Sequence, residues 1–251
     1  LVVFSGYDQR YKDGLAGTGL LDWNYYPLID WQHSYSTGSS SEIMLNSSAQ
    51  YKIFKGLEAE VKYQYQKTQS GSSTLFDEQS YYARNYINSF AYYDAAGTLK
   101  WRVPKGGILD KSDAISTVNN VRGQLNYSYT SPVHEVSAIV GAESRTTKTV
   151  SDQDRYYGYN SIRQSSQNVD YLNPYPNFVT GGNDFISKRQ GMQERNINFL
   201  SLYANAAYTY GKKYTLSGSI RQDASNIFGL KTNDQWNPFW SAGAAWKISD
   251  E

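Results

Sequence analysis

The chain has 251 residues and a formal net charge of +1, from 24 basic and 23 acidic side chains. This balance gives no electrostatic reason to expect nucleic acid as a partner. The absence of cysteine excludes disulfides and thiolate metal sites. No run approaches the roughly 18 apolar residues of a membrane-spanning helix. A transmembrane β-barrel is not excluded, because the apolar residues of its strands alternate with polar residues and form no continuous run.

Along the chain, residues 1–40 are rich in glycine, serine and tyrosine, and we expect them to form a loop. After them, segments with a period of two predict β-strands with two different faces. The expected bounds of these seven strands are 43–51, 57–67, 119–129, 133–146, 196–210, 214–222 and 238–248. The second strand is the most regular, with Leu57 and Val61 on one face and only large polar residues on the other.

The predicted connections alternate between short and long. Turns of a few residues follow the first, third and fifth strands, whereas segments 68–118, 147–194 and 223–237 separate the others. We expect local hairpins in the first long segment, over 81–93 and with a turn at Ala96-Gly97. An antiparallel up-and-down meander then collects the short turns at one end and the long loops at the other. Outer-membrane barrels have this arrangement, with short periplasmic turns and long extracellular loops.

Tyrosine is as frequent as lysine and arginine together, at 24 residues. Aromatic rings fall near both ends of the predicted strands, with Tyr214 and Trp246 beside the short turns and Tyr63 and Trp240 beside the long loops. Two such bands fit the two interfaces of a membrane. A soluble sandwich would instead pack the apolar face on a second sheet, but long structureless loops are uncommon in compact domains. We therefore predict lipid contact at Leu57, Val61, Leu202, Leu216, Trp240 and Trp246.

Few residues could carry chemistry. His33 and His134 are the only histidines in the sequence, and neither has a neighbour that suggests a triad or a metal site. Carboxylates such as Glu60 stand on strand faces, as a glycosidase requires, but a wet lumen explains them better. Asp152 and Asp154 lack the glycine and the bidentate glutamate of a calcium loop. We therefore predict no enzyme activity, no catalytic residue, no metal and no cofactor.

Aromatic residues in the predicted loops are better candidates for ligand contact. Flat rings stack on sugar rings, and tyrosine adds a hydrogen-bonding hydroxyl without charge. The rings could equally pack the long loops against each other or against a partner protein. The candidate ligand-binding residues are Trp23, Trp31, Trp101, Tyr157, Tyr159, Tyr175 and Trp236.

Three stretches in the last part of the chain carry a family resemblance. They are YTYGKKYTLS at 208–217, SIRQDAS at 219–225 and WNPFWSAGAAWKISDE at 236–251, with a weaker match in YKIFKGL at 51–57. With these residues the sequence resembles the TonB-dependent outer-membrane transporters of the SusC/RagA family from Bacteroidetes.

The resemblance implies an all-β chain that is a partial segment of a large transmembrane β-barrel, of about 22 strands, with a plugged lumen. No plug domain is recognised in 1–251. The family implies a location in the bacterial outer membrane and import of nutrients such as glycans or oligopeptides. It also implies two partners, the TonB complex and a SusD-like lipoprotein lid.

Two other functions stay open at this stage. The first is a self-contained secreted or surface carbohydrate-binding β domain, which a monodisperse soluble monomer would favour. The second is an outer-membrane enzyme, which the scarcity of histidine argues against.

Overall fold

The computed structural model describes residues 7–227 and 237–248. In chain order its elements are α1 (Gln9–Gly14), a 3₁₀ helix (Asp30–His33), β1 (Ser34–Phe54), β2 (Leu57–Phe76), α2 (Tyr81–Ser89), β3 (Ala91–Tyr93), β4 (Leu99–Trp101), β5 (Gly107–Thr130), β6 (His134–Asn160), β7 (Ser165–Gln167), β8 (Pro174–Pro176), β9 (Asn183–Phe185), β10 (Gly191–Tyr210), β11 (Tyr214–Ser225) and β12 (Asn237–Trp246).

The seven long strands form one sheet in the order β1-β2-β5-β6-β10-β11-β12. Each long strand therefore lies beside the next long strand along the chain. β11 pairs antiparallel with both β10 and β12. Short turns join β1 to β2, β5 to β6 and β10 to β11, and longer connections join the other neighbours. This order confirms the predicted antiparallel up-and-down meander.

Most of the strands are longer than predicted. β2 continues past 67 to Phe76, β5 begins at Gly107 rather than 119, and β6 continues past 146 to Asn160. The added residues are mainly serine, threonine, glycine and charged residues. Such a composition is typical of loops because it lacks an apolar face, although the backbone here pairs as strand. By contrast, β12 ends at Trp246, before the predicted end at 248.

Two segments that were predicted as loops or hairpins contain helices. Residues 1–40 include α1, the 3₁₀ helix and the start of β1 at Ser34. In the expected hairpin over 81–93, α2 occupies 81–89 and buries Ala83 and Ile87, which lie one helical turn apart, while 91–93 forms the hairpin strand β3. The turn predicted at Ala96-Gly97 is present in the β3–β4 hairpin.

The N-cap of α2 is fixed by Ser80, whose hydroxyl accepts a hydrogen bond from the Ala83 N–H at 3.1 Å. Ser80 is fully buried, so water cannot replace this contact. Replacing Ser80 by Ala is therefore expected to destabilise α2 by about 1 kcal/mol. Hydrogen exchange followed by mass spectrometry should show faster exchange in 81–89. The exposed Ser161→Ala is the control, and unchanged exchange in the Ser80 variant would contradict the capping role.

Contacts divide the chain into two compact units. The strand unit consists of Ser41–Gln69, Ile115–Val150 and Glu194–Glu251, and it contains the alternating part of the long strands. The loop unit consists of Leu1–Ser40, Ser70–Ala114 and Ser151–Gln193. The loop unit has a hydrophobic core of its own, formed by Ala83, Ile87, Phe90, Val103, Ile108, Tyr157 and Ile186.

None of the helices in the described residues is long and apolar enough to cross a membrane.

Candidate functional site

The strand unit has one apolar face, which the strand register defines. Ile220 of β11 lies opposite Ala204 of β10 and Trp240 of β12. Residues paired across an antiparallel ladder share a face, and so do residues two apart on one strand. Leu216 and its partner Ala244 therefore belong to the same face. Ile220, Leu216 and Trp240 are 51%, 63% and 76% exposed, so this face needs an apolar environment.

The residues predicted to contact lipid follow this alternation. Leu202, Leu216, Trp240 and Trp246 all lie on the apolar face that the register of β10, β11 and β12 defines. Val61 of β2 is 53% exposed, whereas Leu57 is half-buried. Their contact with lipid itself stays a prediction.

Aromatic side chains gather beside the short turn between β10 and β11. Tyr210 pairs with Tyr214, and Tyr214 in turn pairs with Trp246, on which its ring stacks at 6.2 Å between centroids. The neighbouring Tyr208 hydroxyl lies 2.7 Å from His134 Nδ1. Rings that combine an apolar body with a polar tip are typical of a membrane–water interface.

The second predicted aromatic band is only partly at the strand ends, because Trp240 lies near the start of β12 but Tyr63 lies far from the end of β2. Tyr63 lies inside β2, which continues to Phe76, and its hydroxyl donates a hydrogen bond to Asn119 Oδ1 at 2.8 Å. β2 has 20 residues and is about 66 Å long at 3.3 Å per residue. A strand needs only roughly 9–11 residues to cross a bilayer, so β2 is about twice as long as the membrane requires. A band at membrane depth can therefore lie far from the end of the strand.

The opposite, polar face of the strand unit contains a hydrogen-bond network around Glu60. The Glu60 side chain is 7% exposed and forms an ion pair with Lys62 Nζ at 3.0 Å. Gln50 Nε2 donates to Glu60 Oε1 at 2.9 Å, and Gln124 Nε2 donates to Oε2 at 2.8 Å. These three partners enclose most of the Glu60 carboxylate, and its position in a wet lumen stays a prediction.

Tyr203 extends the same network across the polar face. Its hydroxyl accepts a hydrogen bond from Arg122 Nε at 2.7 Å and donates one to Gln124 Oε1 at 3.0 Å. The ring needs Gly141 beneath it, since a Cβ at that position would collide with the end of the tyrosine side chain. The network contains no nucleophile paired with a base. Among the described residues, no group of histidine and acidic side chains could hold a metal ion.

Comparisons with known proteins show what this sheet is similar to. No protein-family model matches the sequence. The chain is 25% identical over 145 residues to the TonB-dependent receptor P39 of Formosa agariphila, which covers 58% of this chain and 13% of that protein. A structure of the RagAB peptide transporter matches 88% of this chain and 21% of the other, with a TM-score of 0.63 at 16% identity. The RagAB peptide importer in its "open-open" state gives a TM-score of 0.62 at 17% identity.

The chain resembles one section of a TonB-dependent receptor. Its sheet has the fold of one section of a receptor barrel, in agreement with the SusC/RagA resemblance. The predicted outer-membrane location is confirmed, and the matching proteins are receptors and transporters rather than enzymes. The chain spans only 13% of the curated relative and 21% of the matching transporter chain.

In the loop unit, two predicted ligand-binding residues are buried. Trp23 is 5% exposed, and its Nε1 donates to Asn85 Oδ1 at 2.8 Å. Tyr157 is fully buried in the core, where its hydroxyl donates to the Ser187 carbonyl at 2.7 Å. A ring that is enclosed on both sides cannot stack on a ligand, so these two residues pack the loops instead.

The other predicted ligand-binding residues are partly or largely accessible. Trp31 is 68% exposed, with its Nε1 bonded to the Leu28 carbonyl. Trp101 is half-buried against the core and has Lys105 Nζ 3.6 Å above its ring, and Tyr159 and Tyr175 are half-buried. Trp236 lies outside the described residues. The structure does not bring the described candidates together into one aromatic platform.

An ion cluster holds several segments of the loop unit together. Arg155 of β6 forms a two-pronged contact with Asp110 of β5, at 2.6 and 2.7 Å, and Arg189 Nη1 binds the same carboxylate at 2.6 Å. Arg155 also donates to the Tyr82 hydroxyl of α2 at 2.8 Å. Sequence reasoning missed this cluster, because its members are far apart in the chain and carry no motif.

A second arginine of the loop unit lies between two tyrosine rings. The Arg102 guanidinium carbon is 4.0 Å from the Tyr92 ring centroid and 4.6 Å from that of Tyr175. The Tyr175 hydroxyl donates to Asp170 Oδ2 at 2.6 Å, and this bond holds the pKa of Asp170 well below its usual range. Of the predicted ligand-binding residues, Tyr175 thus contacts both a cation and a carboxylate, whereas Trp101 contacts the Lys105 ammonium.

Proposed function

We propose that the receptor containing this chain imports nutrients across the outer membrane, and that the chain supplies part of the barrel wall. The observation that carries this proposal is the pair of unlike faces in the strand unit. Ile220 and Trp240 would meet lipid, while Glu60, Arg122 and Tyr203 would line the lumen side. The match of 88% of the chain to the RagAB peptide transporter supports the same assignment.

Glycans and oligopeptides are the proposed cargo classes, as the SusC/RagA resemblance implies. We propose that import is driven by the TonB complex and that a SusD-like lipoprotein covers the extracellular side. The folded loop unit supports a role in recognition, because it has its own hydrophobic core and presents Trp31, Arg102 and Tyr175 at its surface.

The alternative of a self-contained carbohydrate-binding domain fits the structure less well. A soluble domain buries its large apolar side chains, yet Leu216, Ile220 and Trp240 are exposed together on one face. The chain produced alone is therefore expected to need detergent or lipid to stay in solution.

A deletion strain tests the proposed transport. Cells lacking the receptor, and cells lacking TonB, are grown with either a defined oligosaccharide mixture or a defined oligopeptide mixture as the only carbon source. Loss of growth on one mixture in both strains, restored when the receptor gene returns to the receptor mutant, is the expected result. Wild-type growth of the receptor mutant on both mixtures would contradict the proposal and the choice of cargo classes.

A further inference from the structure

We propose that Arg102, flanked by Tyr92 and Tyr175, forms a binding site for a free carboxylate of an oligopeptide at the surface of the loop unit. The site rests on the proposed import function, since it names the cargo that this surface would select. Two ring faces at 4.0 and 4.6 Å restrict the guanidinium, so the arginine loses little further side-chain freedom when it binds. Its N–H edge is the part left for a partner.

The hairpin of β3 and β4 places a second cation beside Arg102. Tyr92 pairs with Lys100 in the hairpin register, so these two side chains share one face. Arg102 follows Lys100 by two residues, just past the end of β4, where its backbone N–H bonds to the Phe90 carbonyl at 3.1 Å and its guanidinium lies over the Tyr92 ring. Lys100 and Arg102 therefore lie on the same face of the hairpin as Tyr92.

Both cations lack an anionic partner within residues 7–227 and 237–248. No ion pair or side-chain hydrogen bond of Lys100 or Arg102 occurs there. The carboxylates nearest to Tyr175 are engaged by their own loops. Asp170 accepts from the Tyr175 hydroxyl and from Asn173, and Asp184, opposite Tyr175 in the β8–β9 register, accepts from an asparagine amide at 3.0 Å. Arg102 and Lys100 are thus exposed cations that are not neutralised, and the two rings hold Arg102 in place.

The shape of the site favours a carboxylate over a sugar ring. A guanidinium edge presents parallel N–H donors that match the two oxygens of a carboxylate. Stacking on a sugar would require open aromatic faces, whereas one face each of Tyr92 and Tyr175 is covered by Arg102 itself. An oligopeptide offers a planar carboxylate at its carboxyl terminus and on each acidic side chain, and it needs no stacking platform.

Binding by the full-length receptor in detergent tests the site. The probes are a fluorescent tetraglutamate peptide, the matching tetraglutamine amide, and a tetragalacturonate. Arg102→Gln is expected to weaken tetraglutamate binding about tenfold or more, because a charge-assisted hydrogen-bonded pair is lost. Arg102→Lys should recover only part of the affinity, because lysine keeps the charge without the fork of donors. The exposed Arg163→Gln removes the same charge elsewhere in the loop unit and should leave binding unchanged.

Several outcomes would overturn the proposal. The first is an equal affinity of wild type and Arg102→Gln for tetraglutamate. The second is an affinity for tetraglutamine amide that Arg102→Gln lowers as much as it lowers the affinity for tetraglutamate. The third is Arg102-dependent binding of tetragalacturonate without binding of the peptide. Loss of folding is checked by the mobility shift of the unheated barrel in gel electrophoresis, and Arg102→Lys gives a second variant if Arg102→Gln does not fold. Growth of the deletion strain reports on import separately, so a receptor that binds tetraglutamate through Arg102 but imports nothing would refute only the transport function.

Discussion

Replacing Ile220 by Arg is expected to prevent most of the receptor from assembling in the outer membrane. Ile220 lies in the middle of β11, between Ala204 and Trp240 on the apolar face, and it is 51% exposed. A guanidinium placed at the depth of the lipid tails destabilises a barrel by about 2–4 kcal/mol. The heat-dependent mobility shift of the receptor from membrane fractions measures the folded share.

Ser219→Arg is the matched control for this substitution. Ser219 is the preceding residue on β11, lies on the polar face opposite Asn205 and Ser241, and is exposed. An arginine there stays in contact with water, so assembly should be nearly normal. Equal assembly of the two arginine variants would contradict the assignment of the two faces.

Replacing Asp110 by Asn is expected to loosen the loop unit by about 3–5 kcal/mol, the cost of removing one member of a buried ion pair. The Arg155 side chain is only 5% exposed, and Asp110 is its acidic partner. The asparagine would leave this guanidinium, and that of Arg189, without a counter-charge. Because Arg155 also bonds to Tyr82, the change should reach α2.

Hydrogen exchange of the full-length receptor measures the effect of Asp110→Asn segment by segment. Faster exchange is expected in 81–89 and 186–190, with the strand segment 214–225 unchanged. Asp113→Asn, which neutralises an exposed carboxylate on the same strand, should alter exchange by less than the equivalent of about 0.5 kcal/mol. If Asp110→Asn exchanges like Asp113→Asn, the ion cluster does not hold the loop unit together.

The strands of the strand unit could be predicted from the sequence, because the alternation of apolar and polar residues is visible within each strand. The alternation in β11 places Leu216 and Ile220 on one face and Ser217 and Ser219 on the other, and the register of the sheet agrees. The short turns could be placed for the same reason, since each one interrupts the alternation.

The parts that failed depend on contacts between distant residues. The polar ends of β2 and β5 have no apolar stripe, so period-two analysis assigned them to loops although they pair with neighbouring strands. α2 forms because Ala83 and Ile87 are buried by segments far away in the chain, which no local window shows. In the sequence, Trp23 and Tyr157 are ligand-binding candidates by their rings alone, and only the packed structure reveals that both are enclosed.

The candidate site shows the same division. Tyr175 could be proposed from the sequence as an exposed aromatic residue, but its partner Arg102 could not, because 73 positions separate them in the numbering and only the folded loop unit brings them to 4.6 Å. The ion cluster of Asp110, Arg155 and Arg189 escaped prediction for the same reason.

Spin labelling of β11 tests most directly the central claim that one face of the sheet meets lipid. This chain has no cysteine, so single cysteines at 216 to 221 can each carry one label without background from its own residues. In the receptor reconstituted into bilayers, labels at 216, 218 and 220 should be relaxed preferentially by oxygen, which concentrates in lipid. Labels at 217, 219 and 221 should be relaxed preferentially by a water-soluble nickel complex or be shielded from both agents. Preferential relaxation by the nickel complex at 216, 218 and 220, or no alternation along the strand, would contradict the account.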